Sequence, residues 1–163
     1  MSRYRPPSPP KSPYITREGF DILKNEEKEI WQKRRLVVSA LSAAAAEGDR
    51  SENAEYIYRK KELRELDRRI RYLQKRLPDI NVVNTTPTNA QQVFFSATIT
   101  LENEDGIETS YRIVGPDEID HHPHYISIDS PVAKALLKKN LNDQVTVSIP
   151  TGKITYVITN IRY

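Results

Sequence analysis

The chain contains no cysteine. Disulfides, thiolate metal sites and cysteine nucleophiles are therefore excluded, and the absence is compatible with a reducing cytoplasm, the expected location. Glycine is scarce, with 5 in 163 residues. No Gly-rich phosphate loop, no G-x-S-x-G elbow and no plausible Ser/His/Asp set occurs. No apolar run approaches the ~20 residues of a membrane span, and the N-terminus lacks the apolar stretch of a secretory signal. Hydrophobic residues make up 37%, enough for a packed core but not a large one, while 29% charged residues favour a helix-rich, solvated part.

Charge is abundant but unevenly placed. The formal net charge is +3. Residues 1–15 carry three basic and no acidic residues, residues 16–78 carry 16 basic and 12 acidic, and residues 79–163 carry 6 basic and 10 acidic. A basic half and an acidic half suggest two domains with different partners.

Residues 1–13 hold five of the 11 prolines. Proline lacks an N–H and restricts the residue before it, so a disordered Pro-rich tail is expected here. Thr16 is a candidate N-cap for a helix starting at Arg17. Phe20, Leu23, Ile30, Val37, Leu41 and Ala44 then follow one helical stripe, interrupted by Glu27 and Arg34. Gly48 supplies a stop. A second helix is expected within two or three residues, with the cleaner seam Tyr56, Leu63, Leu66, Ile70, Leu73 and Leu77, ended by Pro78. Two such seams joined by a short loop predict an antiparallel coiled-coil hairpin over 14–78, with arms about 40–45 Å long.

Residues 79–90 read as a linker. Beyond them the hydrophobic period becomes 2: Val93, Phe95, Ala97, Ile99 and Leu101 alternate, and so do Tyr111 and Ile113. Asp105-Gly106 suits a type I′ hairpin turn. Asp129-Ser130-Pro131 opens a short helix through Lys139, with proline near its first position. A final hairpin follows from Val145 to Ile161. The expected class is α+β: a helical hairpin, then a small antiparallel sheet packed on one helix over 91–163.

Three groups of residues carry candidate chemistry. Asp49 and Glu52 sit at the tip of the hairpin. Their Asp-x-x-Glu spacing resembles a capping box, and carboxylates suit a helix N-terminus. They are also hard oxygen donors suited to Mg²⁺, although two or three carboxylates leave an octahedral shell incomplete without water, phosphate or another protein. The second group is the face of the second helix. Residues 56–77 hold nine basic residues against Glu62, Glu65 and Asp67. Lys60, Arg64, Arg68, Arg71 and Lys75 form a stripe, with Lys61, Arg69 and Arg76 elsewhere on the surface. A solvated coiled-coil face explains charges in general, but like charges at i,i+4 repel, and a helix tolerates them more readily beside a polyanion. No groove-reading motif supports sequence-specific DNA recognition. The third group is His121-His122-Pro123-His124, which lacks regular ligand spacing and reads as a polar loop rather than a metal site.

The segment Gly48-Asp49-Arg50-Ser51-Glu52-Asn53-Ala54-Glu55-Tyr56 and the basic helix after it resemble the Gre family of bacterial transcript cleavage factors. So do Thr16-Arg17-Glu18-Gly19 and Tyr125-Ile126-Ser127-Ile128-Asp129-Ser130-Pro131 with Ala133 to Lys139. The resemblance covers about residues 14–163, and Arg50 with the dense basic run makes it most similar to the GreB type. It implies an accessory factor, not an enzyme in itself, that enters the RNA polymerase secondary channel as a monomer and stimulates cleavage of backtracked RNA. Asp49 and Glu52 would help hold a Mg²⁺ shared with the polymerase, with Asn53, Ser51 or Arg50 as orienters. Lys60, Lys61, Arg64, Arg68, Arg69 and Arg71 would contact the nascent RNA 3′ end. The resemblance also implies an FKBP-like C-terminal domain whose Asp129, Ser130 and Pro131 meet the channel rim. Isomerase activity does not follow from such a fold. The alternative is a non-catalytic channel binder that modulates initiation. No family role extends to the Pro-rich tail or the His-rich loop.

Overall fold

A computed structural model describes residues 4–49 and 52–163. The chain divides into two compact units, residues 20–80 and residues 1–19 with 81–163.

The first unit is a helical hairpin. Helix α1 spans Arg17–Ala45 and α2 spans Ala54–Arg76, followed by a 3-10 turn at Leu77–Asp79 that carries Pro78. Thr16 caps α1, its Oγ1 accepting from Gly19 N at 3.1 Å. Cross-helix contacts fix the direction: Arg69 reaches Glu26, Arg34 reaches Asp67, Lys33 reaches Glu62, and Asn53 reaches Ala44. From Glu26–Arg69 through Arg34–Asp67 to Ala44–Asn53 the numbers rise in α1 as they fall in α2, so the helices run antiparallel. The expected seams hold. Leu23, Val37 and Ala44 are buried on α1, and Ile70, Leu73 and Leu77 on the return, with Phe20, Ile30, Leu41, Tyr56, Leu63 and Leu66 half-buried. Full burial of a leucine such as Leu23 or Leu73 contributes about 1.5–3 kcal/mol. The two polar interruptions are both satisfied, Arg34 by Asp67 at 2.6 Å and Glu27 by Lys24 at 3.4 Å.

The second unit holds a five-stranded sheet: β3 (Thr98–Asn103), β4 (Glu108–Val114), β5 (Tyr125–Ser127), β6 (Gln144–Ile149) and β7 (Gly152–Arg162). The spatial order is β5-β4-β3-β7-β6. All pairings are antiparallel except β4 with β5, which is parallel, because the chain between them crosses over through Pro116 to Pro123 instead of turning back. Helix α3 (Pro131–Leu136) covers one face. Val93, Ala97, Ile99, Leu101, Ile113, Ala133, Leu136, Val145, Val147 and Ile158 form the core between them. The β3–β4 connection is not a two-residue type I′ turn. Among its residues only Gly106 has positive φ, at 75°, and Asn103 N pairs with Ile107 O at 3.0 Å. This is a three-residue loop, and Asn103 Oδ1 braces it by accepting from the amides of Asp105 and Ile107.

Two expected boundaries shift. A strand β1 (Tyr14–Thr16) pairs in parallel with β2 (Asn81–Val83), so part of the expected linker is a strand and residues 14–16 group with the sheet unit, not the hairpin. Residues 4–13 carry no helix or strand, as their prolines demand, but their end is held. Ser12 donates its backbone N–H (2.9 Å) and its hydroxyl to the Asp129 carboxylate, Lys11 lies 4.0 Å from Asp117, and Asn81 N donates to Pro13 O at 2.7 Å.

Candidate functional site

The site at the hairpin tip begins where α1 runs out of hydrogen bonds. Ala46 N still reaches Ser42 O at 3.2 Å, and Gly48 then takes φ of 128°, a conformation L side chains rarely adopt. The next helix does not start at once. Asn53 is its N-cap, with Oδ1 accepting from Tyr56 N at 3.0 Å. The other end of the same side chain donates from Nδ2 to Ala44 O at 2.8 Å. One amide thus adds a second donor to the Ala44 carbonyl of α1, which also accepts from Glu47 N at 3.2 Å, and satisfies an orphan N–H of α2, which ties the two helix ends together.

This geometry removes the capping-box reading of the tip carboxylates. The cap position belongs to Asn53, so Asp49 and Glu52 both precede it, outside either helix, and both are exposed. Glu55 is the carboxylate in the first turn of α2, and it pairs with Arg59 at 2.8 Å. Arg50 and Ser51, the other two candidate orienters, lie outside the described residues. As a donor set for Mg²⁺, Asp49 and Glu52 have the right chemistry and too few ligands, and among the described residues no group of three metal-ligating side chains occurs. Two carboxylates alone do not fill the octahedral shell of such an ion.

The basic residues of α2 separate into two kinds. At about 100° per residue, Lys60, Lys61, Arg64, Arg68, Arg71 and Lys75 fall within an arc of about 100°, away from the leucine seam. All six are exposed. Lys60 also lies over the Tyr56 ring at 5.8 Å. Arg69 points elsewhere: its Nε and Nη2 donate to the two carboxylate oxygens of Glu26 at 2.6 and 2.9 Å. Arg69 is a tie between the helices and lies outside the exposed arc that holds the other five residues expected to contact RNA. The bidentate pair engages two of the five guanidinium donors and sets a carboxylate against the charge.

In the sheet unit, Ser130 caps α3, with Oγ accepting from Ala133 N at 3.2 Å, and Pro131 occupies the first helical turn. Asp129 receives the two bonds from Ser12, and its own N–H donates to Ser127 Oγ at 3.0 Å. Sequence reasoning missed Ser12, which lies 117 positions from its partner and carries no local signal. The histidine loop is ordered by its own contacts. His124 N donates to His122 Nδ1 at 3.1 Å, and the His122 ring packs on Tyr125 with centroids 5.1 Å apart. Among the described residues no helix is long and apolar enough to cross a membrane.

Two family models match this chain: the N-terminal domain of transcription elongation factors over residues 13–82, and the GreA/GreB C-terminal domain over residues 87–163. Transcription elongation factor GreB of Xanthomonas axonopodis pv. citri is 54% identical over 100% of this chain and 98% of its own length. GreB of Pseudomonas aeruginosa is 52% identical over 100% and 98%, and GreB of Yersinia pestis 53% over 94% and 90%. Among solved structures, the GreA factor homolog 1 (Gfh1) of Thermus thermophilus aligns with a TM-score of 0.42 and 21% identity, covering 92% of this chain and 98% of that one. With both family models matched in order along nearly the whole chain, it belongs to the GreA/GreB family of transcription elongation factors.

Proposed function

We propose that this elongation factor inserts its helical hairpin into the secondary channel of a backtracked RNA polymerase and lends Asp49 and Glu52 to the polymerase active centre. The observation that carries the reading is the cap at Asn53. It anchors the tip from both helices while leaving two carboxylates exposed beyond the helix end. Helix α1 with 29 residues and α2 with 23 extend about 43 and 35 Å. That length suits delivery of the tip to a buried centre.

Asp49 and Glu52 would hold a Mg²⁺ jointly with polymerase residues. The chemistry a bound Mg²⁺ supplies there is charge stabilisation at the attacking and leaving oxygens of phosphodiester hydrolysis. Asn53 acts through position, since its two hydrogen bonds fix where the preceding residues sit. The exposed arc from Lys60 to Lys75 would line the path of the extruded RNA and screen its phosphates. On the sheet unit, Asp129, Ser130 and Pro131 would meet the channel rim.

The test is RNA product length from a defined backtracked complex in Mg²⁺. Wild-type protein is expected to shorten the transcript from its 3′ end, and to hydrolyse no RNA without polymerase. Asp49→Asn with Glu52→Gln is expected to slow cleavage by about 10²–10³-fold while polymerase binding persists, the scale of removing groups that act only on the transition state. Normal cleavage by the double variant would sink the tip mechanism. Transcripts left uncut by the wild-type protein would instead identify a non-catalytic channel binder.

A further inference from the structure

One end of the sheet face turned away from the core brings together the two arginines of the sheet unit's strands. Residues pair across four strands in one row: Tyr125 on β5 with Arg112 on β4, Arg112 with Thr98 on β3, and Thr98 with Arg162 on β7. Residues directly opposite one another in a sheet share a face. The neighbours Ala97 and Ile99 of Thr98 are buried in the core, so this row lies on the other side. A cleft of about 520 Å³ opens over it, within the range of small-molecule sites.

The lining has a definite chemistry. Residues 79–163 carry 6 basic and 10 acidic side chains, yet both arginines of this acidic stretch, Arg112 and Arg162, border the cleft, together with His122 and His124. Arg112 is held in place. It donates to Ser96 O at 3.3 Å and Tyr125 Oη at 3.2 Å, and it lies over the Tyr125 ring at 5.6 Å. The carboxylate facing it, Glu18, is 3.4 Å away and 70% exposed. Arg162 is exposed and, among the described residues, makes no ion pair. The exposed His122 ring, packed on Tyr125, borders the cleft, as does Ser110.

We propose that this cleft binds a nucleoside phosphate, either a free nucleotide or the terminal nucleotide of an RNA. Planar guanidinium groups pair with phosphate oxygens in two-point geometry, and Arg162 offers an uncommitted fork, while Arg112, whose Nε, Nη1 and Nη2 already donate to Ser96 O, Tyr125 Oη and Glu18, adds a fixed positive charge beside it. The base stacks on the exposed His122 ring, which Tyr125 backs, as bases do on aromatic side chains in single-strand binders. An acidic peptide would satisfy the guanidinium groups and leave the ring surface unused. The site is independent of the tip and of the proposed cleavage reaction.

The test is titration of full-length ¹⁵N-labelled protein by NMR. GMP is expected to shift the amides of Thr98, Ser110, Tyr125 and Arg162 in a saturable manner, with inorganic phosphate and guanosine each binding more weakly than GMP. A 5′-phosphorylated RNA dinucleotide that binds more tightly than GMP identifies a chain end as the source, and equal binding identifies the free nucleotide. Arg162→Gln is expected to weaken GMP about tenfold, the loss of one charge-assisted pair. His122→Ala, on the opposite side of the cleft, is expected to weaken GMP while leaving phosphate unchanged. No shift at these residues at millimolar GMP would overturn the proposal. So would equal affinity in Arg162→Gln, or tighter binding of a polyglutamate peptide than of GMP.

Discussion

Glu118 is 1% exposed, and its partners are donors, not a cation: Thr16 N at 3.0 Å, Gly115 N at 2.7 Å and the Thr16 hydroxyl. This explains a glycine that the sequence displays without a reason. A Cβ on Gly19 would lie 2.0 Å from Glu118 Oε1 and 2.6 Å from its Cγ. Three hydrogen bonds hold that carboxylate, so it cannot swing aside. Gly19→Ala is therefore expected to cost more than about 2 kcal/mol, read as a lower urea midpoint, whereas the same change at a solvent-facing helix position would stabilise. The cap at Thr16 is legible from residue type and spacing, but the need for Gly19 is not, because its neighbour lies 99 positions along the chain. Tyr163 offers a pH-resolved check at the same scale. Its hydroxyl donates to Gln92 O at 2.5 Å and accepts from Phe94 N at 2.8 Å. Burial pushes its phenol above the ordinary value, against the lowering effect of the Phe94 N–H. Folding then favours the protonated phenol, so its stabilisation is complete below the unfolded value near 10 and fades as pH rises through the folded one. Tyr163→Phe is expected to cost about 1–2 kcal/mol at neutral pH, with a difference from wild type that shrinks in urea melts above pH ~10.

Helix α2 serves two purposes that its sequence does not distinguish. The seam is readable because a leucine repeat has a period, and burial follows it from Tyr56 to Leu77. The arginines have no such marker. Arg68 and Arg69 are adjacent in sequence, yet one is exposed and the other grips Glu26 across the hairpin. The choice depends on which side of the helix faces α1. The start of α2 is hidden for a related reason: an Asp and an Asn both cap well, and only the reach of Asn53 to Ala44 O decides between them. Two variants separate the roles. Arg69→Ala is expected to lower stability by about 0.5–1 kcal/mol, the scale of a part-exposed ion pair, and to leave the salt dependence of RNA binding unchanged. Arg64→Ala with Arg68→Ala is expected to leave the urea midpoint nearly unchanged. In crosslinking to the RNA of a backtracked complex it should bind more weakly, and its log affinity should fall less steeply with log salt, by about 0.7 in slope for each phosphate no longer neutralised.

At the scale of the whole molecule, composition separates a basic helical stretch from an acidic sheet stretch, and the prolines mark residues 4–13 as free of helix and strand. Where that segment ends up is not legible in the same way. A proline-rich run has no hydrophobic period to reveal its contacts, and its anchors, Lys11 to Asp117 and Ser12 to Asp129, span more than a hundred residues. The second anchor bears on function, because Asp129 is the residue proposed to meet the polymerase rim. Its carboxylate accepts from both the amide and the hydroxyl of Ser12, so an external donor must displace the tail or share the carboxylate with it. Removal of residues 1–12 leaves the bond from Asn81 N to Pro13 O, and with it the β1–β2 pair, in place. The truncated protein is expected to bind polymerase about fivefold more tightly in a competition assay, the equivalent of about 1 kcal/mol of intramolecular hydrogen bonding no longer opposed. Asp129→Asn in the truncated background is expected to reverse that gain. Equal affinity with and without the tail would mean that Ser12 does not compete for Asp129. Weaker affinity on truncation would make the tail part of the polymerase interface itself.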